Sequence, residues 1–194
     1  MQRMEVNRMD PIGILSAFSP ACEQEKQDRR RMLELLGEGR DLLHRDNESA
    51  HFTASSWIVS PDRRQALMVY HNIYQSWSWT GGHADGDPDF LRVALREAQE
   101  ETSISHVRPL SETPLSLEIL PVAPHFKRGK FVCAHVHLNV TYFLEADPAL
   151  SLHIKPDENS GVRWFPAEEV LGAVSEPCMR VVYRKLMEKA KGFV

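Results

Sequence analysis

The stretch that most restricts this chain runs from Gly81-Gly82 through Asp87-Pro88-Asp89 into Phe90-Leu-Arg-Val-Ala-Leu-Arg-Glu-Ala-Gln-Glu-Glu-Thr102. Its second half predicts a helix over residues 87–102. Asp87 suits the cap, Pro88 the first helical position, and Asp89 the positive end of the helix dipole. At about 100° per residue, Phe90, Leu91, Ala94, Leu95 and Ala98 form one apolar stripe that must pack on a body. Glu97, Glu100 and Glu101 then fall at i, i+3 and i+4 and share an adjacent face.

That arrangement is unfavourable for a bare helix. Like charges at i,i+4 cost about 0.2–0.5 kcal/mol per pair, and acids near the C-terminal end oppose the macrodipole. A divalent cation reverses both penalties, because Mg²⁺ prefers hard oxygen ligands in near-octahedral array. A solvated acidic face is the other meaning of two adjacent glutamates, and the glycine pair upstream weighs against it.

The rest of the chain supplies the body. Residues 1–50 hold few β-branched residues and one dense charged segment, in which Met32, Leu33, Leu35, Leu36, Leu42 and Leu43 recur at helical spacing. They read as an N-terminal helical extension packed on the main body, with Arg29, Arg30 and Arg31 on a solvated face. From residue 51 the texture changes. A hairpin is expected from residues 52–59 and 66–70, a short strand over 73–80 ended by Gly81-Gly82, and strands over 116–123 and 131–145 joined by a turn at 125–130. A last strand at 161–165 is followed by a helix opened by Pro166. An amphipathic helix over 176–191 closes the chain, with Met179, Val182, Tyr183 and Leu186 inward. This order implies a single α+β body, an α/β/α sandwich around a mixed sheet, with residues 51–194 as the main domain.

Composition narrows the function. The 194 residues carry a formal charge of −4, which argues against a broad grip on nucleic-acid polymer. Cys22, Cys133 and Cys178 are odd in number, widely separated and without metal-knuckle spacing, as expected of a reduced, cytoplasmic protein. The apolar patch at residues 12–18 is too short for a signal peptide, and no stretch approaches the ~20 apolar residues of a membrane span.

Starting from Gly82, the segment resembles the Nudix family signature, Gly-x5-Glu-x7-Arg-Glu-U-x-Glu-Glu-x-Gly-U with U apolar. Arg96-Glu97-Ala98-Gln99-Glu100-Glu101 falls in register and Ile104 fills the last apolar position. Pro88 stands where the first glutamate belongs, and Ser103 where the glycine belongs. The second departure makes a left-handed turn after the helix harder, at about 1 kcal/mol. Trp77-Ser-Trp-Thr-Gly-Gly82 looks like the family's strand entering the loop, and residues 161–169 resemble its closing strand and helix. The likeness spans residues 50–172.

The resemblance implies a Mg²⁺- or Mn²⁺-dependent hydrolase that cleaves a diphosphate bond in a nucleoside diphosphate linked to another moiety, or in a similar small organic diphosphate. It implies Glu97, Glu100 and Glu101 as metal ligands, with Glu97 or Glu101 taking the proton of the attacking water. The Gly81 carbonyl is a further ligand candidate, Arg96 orients the glutamates, and Glu158, in Lys155-Pro-Asp-Glu-Asn159, is a candidate acid from a later loop. A solvated turn explains that last segment as well.

On the substrate side, strand 131–145 alternates. Val132, Ala134, Val136, Leu138 and Val140 point one way; Cys133, His135, His137, Asn139 and Thr141 point the other. The polar face meets solvent or lines a pocket. His135-x-His137 has the form of a transition-metal pair, but no third ligand stands at motif spacing. His83 directly follows the glycines and is a substrate contact candidate, as are His135, His137 and Trp77. His51 and His71 read as strand histidines, Trp77 and Trp79 also as core, and Lys127, Arg128 and Lys130 as a hairpin tip. Two other functions fit the resemblance: an isomerase like the isopentenyl diphosphate isomerases, with Cys133 as its cysteine, and a non-catalytic nucleotide sensor. The N-terminal helices have two places to pack, on this chain or on a second copy as a homodimer.

Overall fold

The computed structural model describes residues 10–127 and 129–192. Helices α1 (Pro11–Ala17) and α2 (Glu23–Gly37) precede strands β1 (Ala50–Val59), β2 (Gln65–His71), β3 (Ser76–Ser78) and β4 (Thr80–His83). Helix α3 (Phe90–Thr102) follows, then β5 (Arg108–Pro109), β6 (Ser116–Val122), β7 (His125–Lys127), β8 (Lys130–Val132) and β9 (His135–Glu145). Strand β10 (Asn159–Pro166), a 3₁₀ turn at Ala167–Glu169, α4 (Val170–Ala173) and α5 (Pro177–Lys191) complete the described chain. Among the described residues, no helix is long and apolar enough to cross a membrane.

The strands form one mixed sheet in the order β10-β2-β1-β9-β5, with β3 on β2, β4 on β1 and β6 on β9; β7 and β8 make a separate ribbon. β1 and β9 pair in parallel over their central length, Ala50 opposite Val136 through Val59 opposite Glu145. Alternation assigns the two faces. Phe52, Ile58, Leu138, Val140 and Leu144 pack with Phe90, Val93, Ala94 and Ala98 of α3 and with Leu15 and Met32 of the first two helices. Trp57, Met68, Phe143 and Phe165 pack with Met179, Tyr183 and Leu186 of α5. The result is the expected α+β sandwich.

Local departures from the sequence expectation have physical causes. The helix starts at Phe90 instead of residue 87, because Asp89 is the cap and accepts from the Arg92 N–H at 3.1 Å; Pro88 precedes it. The strand expected over 73–80 is two strands, and Gly81-Gly82 lie inside the second, opposite Ser55 and Ala54. β1 leaves β2 after one residue pair, so β4 takes its vacated edge. The strand expected over 131–145 breaks at Cys133–Ala134, and the expected turn at 125–130 is the β7–β8 ribbon; Arg128 lies outside the described residues.

Helix α2 covers the free edge of β6. Asp28 accepts from the Ile119 N–H at 2.9 Å and Gln24 donates to the Leu117 carbonyl at 2.9 Å, satisfying backbone groups that an edge strand leaves open. Arg29, expected on a solvated face, donates to the Leu15 and Ser16 carbonyls at the end of α1. Beneath α2 lies a buried ionic network. Glu25, fully buried, sits 2.5 Å from the Lys189 ammonium and 3.3 Å from that of Lys185, which lies 2.8 Å from buried Glu118. Glu118 continues through Asn139 and Thr141 to Thr53 and Ser55. The polar face of β9 is therefore satisfied internally at this end and opens into a cavity at the other.

Burial alone would raise the Glu25 carboxyl pKa, but the Lys189 ammonium, the Ala21 N–H and the Ser116 hydroxyl bring it below its ordinary value. A depressed carboxylate contributes stability above its unfolded pKa and loses it as pH falls through the folded one. Glu25→Ala is expected to lower unfolding free energy by about 3–5 kcal/mol, because it strands buried ammonium charge. Urea denaturation across the acid range should also show a shallower pH dependence for the variant over that window. A second expectation concerns the glycines. A Cβ on Gly81 would lie 2.8 Å from the Ala54 carbonyl oxygen and press on Ser55 Oγ, whereas one on Gly82 would meet only the movable Glu97 carboxyl. Thermal denaturation should show Gly81→Ala costing about 1–3 kcal/mol and Gly82→Ala less; the reverse order would contradict this packing.

Candidate active site

Helix α3 presents its carboxylates beside β4, and the 153–159 segment reaches over the same helix end. The His153 N–H donates to the Thr102 carbonyl at 2.8 Å, and Asn159 Nδ2 donates to the Glu101 carbonyl at 2.9 Å. Two backbone N–H groups, of Glu158 and Asn159, close on the Lys155 carbonyl at 2.8 Å. This docked turn carries Glu158 to the helix. One carboxylate oxygen from each of Glu97, Glu101 and Glu158 lies within 4.8 Å of the other two. Glu97 reaches over Gly82, where a side chain would obstruct it.

The acids are placed against their electrostatic preference. Glu101 is 5% exposed, and its Oε2 has no hydrogen-bond partner. Burial first, then the charges of Glu97 and Glu158, push its pKa well above the ordinary carboxylate value, against a lowering contact from the Gly81 backbone. Glu97 is also raised, chiefly by burial. A buried carboxylate oxygen without a partner, facing two further acids, fits a hard divalent cation, which would supply the missing partner and reverse the repulsion.

Cationic side chains ring the acids. Arg96 lies 3.1 Å from Glu97 and 3.8 Å from Glu100. Lys155 lies 3.3 Å from Glu100 and 3.1 Å from Glu158. Glu100, also expected among the metal ligands, is half-exposed beside Arg96 and Lys155, and Glu158, expected with it, lies next to Glu97 and Glu101. Asp87, flanking the departure at Pro88, is held by Arg92 at 2.6 and 2.9 Å and stays out of the cluster. Ser103 takes the left-handed conformation, φ 56°, that the missing glycine would adopt freely.

The acids open onto a cavity of about 820 Å³ that also contains His51, His83, His135 and His137. His51, expected from sequence to be an ordinary strand histidine, is 3% exposed and belongs to this group. Burial holds its imidazole below the ordinary pKa. Trp77 is placed differently from the expected substrate contact. It stacks edge-on against Phe165 and Tyr70, under Gly161, outside the residues lining the cavity, because β3 pairs with β2 and turns it into that packed layer. Trp79 does line the cavity, as do exposed Cys133 and the ribbon's Phe131. Sequence reasoning misses Lys155, Asn159 and His51; the β1–β9 register that joins His51 to His137 has no local signal.

The NUDIX domain model matches residues 50–189. Among solved structures, a C. elegans Ap4A hydrolase in a binary complex superposes with a TM-score of 0.54 at 18% identity, covering 73% of this chain and 98% of that one. The Nudix hydrolase RenU from M. smegmatis gives 0.50 at 15% identity, covering 73% and 86%. At such identities the likeness is one of fold. No curated protein matches the sequence. Because the family model spans most of the chain and includes the helix that carries the clustered glutamates, the chain belongs to the NUDIX domain family and is a Nudix-type hydrolase.

Proposed function

We propose that this hydrolase cleaves the diphosphate bond of a nucleoside diphosphate linked to another moiety, or of a similar small organic diphosphate, with Mg²⁺ or Mn²⁺ held by Glu97, Glu101 and Glu158. The observation that carries the reading is the meeting of three carboxylates from two separate segments, one of them buried with an unpartnered oxygen. The Gly81 carbonyl, on the strand beside Glu101, is a further ligand. When bound, the ion neutralises diphosphate oxygen charge and activates water.

The remaining work falls to the chain itself. Glu97 or Glu101 accepts the proton of the attacking water, and Arg96 holds Glu97 in place through a charge-assisted hydrogen bond. Lys155, between Glu100 and Glu158, balances the acids at the rim and offers an ammonium to a substrate phosphate. His83, His135 and His137 line the same cavity and are the nearby polar contacts for the rest of the substrate. Glu100 supports the rim through its pairs with Arg96 and Lys155.

Purified protein offered nucleoside triphosphates, dinucleoside polyphosphates, ADP-ribose, nucleotide sugars, coenzyme A and isopentenyl diphosphate should turn over part of this panel only with Mg²⁺ or Mn²⁺. Glu97→Gln and Glu101→Gln should each lower kcat by at least ~10², the scale of lost metal and electrostatic catalysis. Unchanged turnover in both variants would refute the site. Recovery of isomerised isopentenyl diphosphate would replace hydrolysis with isomerisation, and tight binding without turnover would replace it with sensing.

A further inference from the structure

A second set of ligating side chains, made of histidine alone, stands where β1, β4 and β9 run side by side. One ring nitrogen from each of His51, His83 and His137 lies within 4.8 Å of the other two. The His135 ring is centred 5.0 Å from that of His51 and 5.1 Å from that of His137, and its Nε2 lies 3.3 Å from His137 Nε2. The His-x-His pair of β9 thus gains from β1 and β4 the partners that no sequence spacing announces.

Three observations point to a cation. First, backbone carbonyls set the tautomers: His51 Nδ1 donates to Asn47 O at 3.0 Å and His135 Nδ1 to Cys133 O at 2.8 Å. The protonated nitrogen of each ring is thereby committed, and Nε2 presents a lone pair, the usual outer-shell arrangement of a metal-binding histidine. Second, His51 is only 3% exposed and its Nε2 has no hydrogen-bond partner, a costly state for a polar atom unless something absent fills it. Third, His135 Nε2 and His137 Nε2 share a hydrogen bond of 3.3 Å, and that separation is also the one that metal–nitrogen bonds of about 2.0–2.1 Å give neighbouring nitrogens in a tetrahedron, so an ion replaces the shared proton without moving the rings apart.

We propose that His51, His83 and His137, with His135 beside them, bind a divalent transition-metal ion of the zinc class, in a site separate from the carboxylate cluster. Ligand chemistry distinguishes the two: imidazole nitrogens select borderline ions, whereas the all-oxygen acids suit Mg²⁺ or Mn²⁺. An ion there would tie three strands together and put positive charge on the cavity wall, so that with the ion bound these histidines would meet an anionic substrate through it, in place of the direct contacts proposed above.

The test uses the full chain, stripped with chelator and titrated with Co²⁺ as a coloured stand-in for zinc. Glu97→Gln/Glu101→Gln removes the carboxylate contribution. In that background a single equivalent of Co²⁺ should bind with the intense visible bands of four-coordinate cobalt. Adding His137→Ala or, separately, His83→Ala on the half-buried β4 position should weaken binding at least ~100-fold, the upper end of the loss seen for outer-shell partners, with the far-UV circular dichroism unchanged. Absence of Co²⁺ binding, a six-coordinate spectrum, or equal affinity in both histidine variants and their parent would overturn the proposal. Loss of hydrolysis in the carboxylate variant with Co²⁺ binding intact separates this site from the proposed catalytic one.

Discussion

The parallel pairing of β1 with β9 is the contact on which the rest of the molecule depends. It joins segments far apart in sequence in one uninterrupted register, and every neighbouring element takes its place from that pair. β4 occupies the other edge of β1, β6 the other edge of β9. Because side chains alternate, the register decides what each face becomes. One face is apolar and receives α3; the other collects His51, Thr53 and Ser55 from β1 beside His137, Asn139 and Thr141 from β9. A slip of one residue would exchange the two faces and move every histidine of the slipped strand into the α3 layer.

The polar face divides into a closed half and an open half. In the closed half, two buried carboxylates beneath α2 meet two lysine ammonium groups of α5, so opposite charges pair within the protein. Removing one member is costly for that reason, although the network as a whole is weak evidence for net stability. Toward the open half, two buried atoms are unbonded, Nε2 of His51 and Oε2 of Glu101 on the neighbouring helix. The contrast is informative, since the same chain satisfies comparable groups a few residues away. Both of these atoms belong to residues that line the cavity, so a group bound there is within reach of each.

The site on α3 is legible in the sequence because it is local. Helical spacing brings Glu97 and Glu101 together, and the glycine pair announces a close approach that the structure supplies through Ser55 and Glu97. Glu158 is visible only as a candidate, since its turn docks through Asn159 to a helix end distant in sequence. The alternation of residues 131–145 holds along β9, but the break at Cys133–Ala134 follows from the β7–β8 ribbon turning away, a tertiary event. The tryptophans show the same limit. Which of Trp77 and Trp79 faces the cavity depends on the switch of partner from β2 to β1 between them, and residue type alone does not encode it. His51 escapes a reading of its own segment because its significance lies in the strands that pair with it.

The central claim is that three carboxylates, Glu97, Glu101 and Glu158, act together as a divalent-metal site. Anomalous diffraction from crystals soaked in Mn²⁺ tests that claim most directly. The expected result is an anomalous peak within bonding distance of oxygens from these three residues. Manganese bound through Glu100 with Glu101 and Glu158 uncoordinated, or no peak near α3 at saturating Mn²⁺, would contradict it.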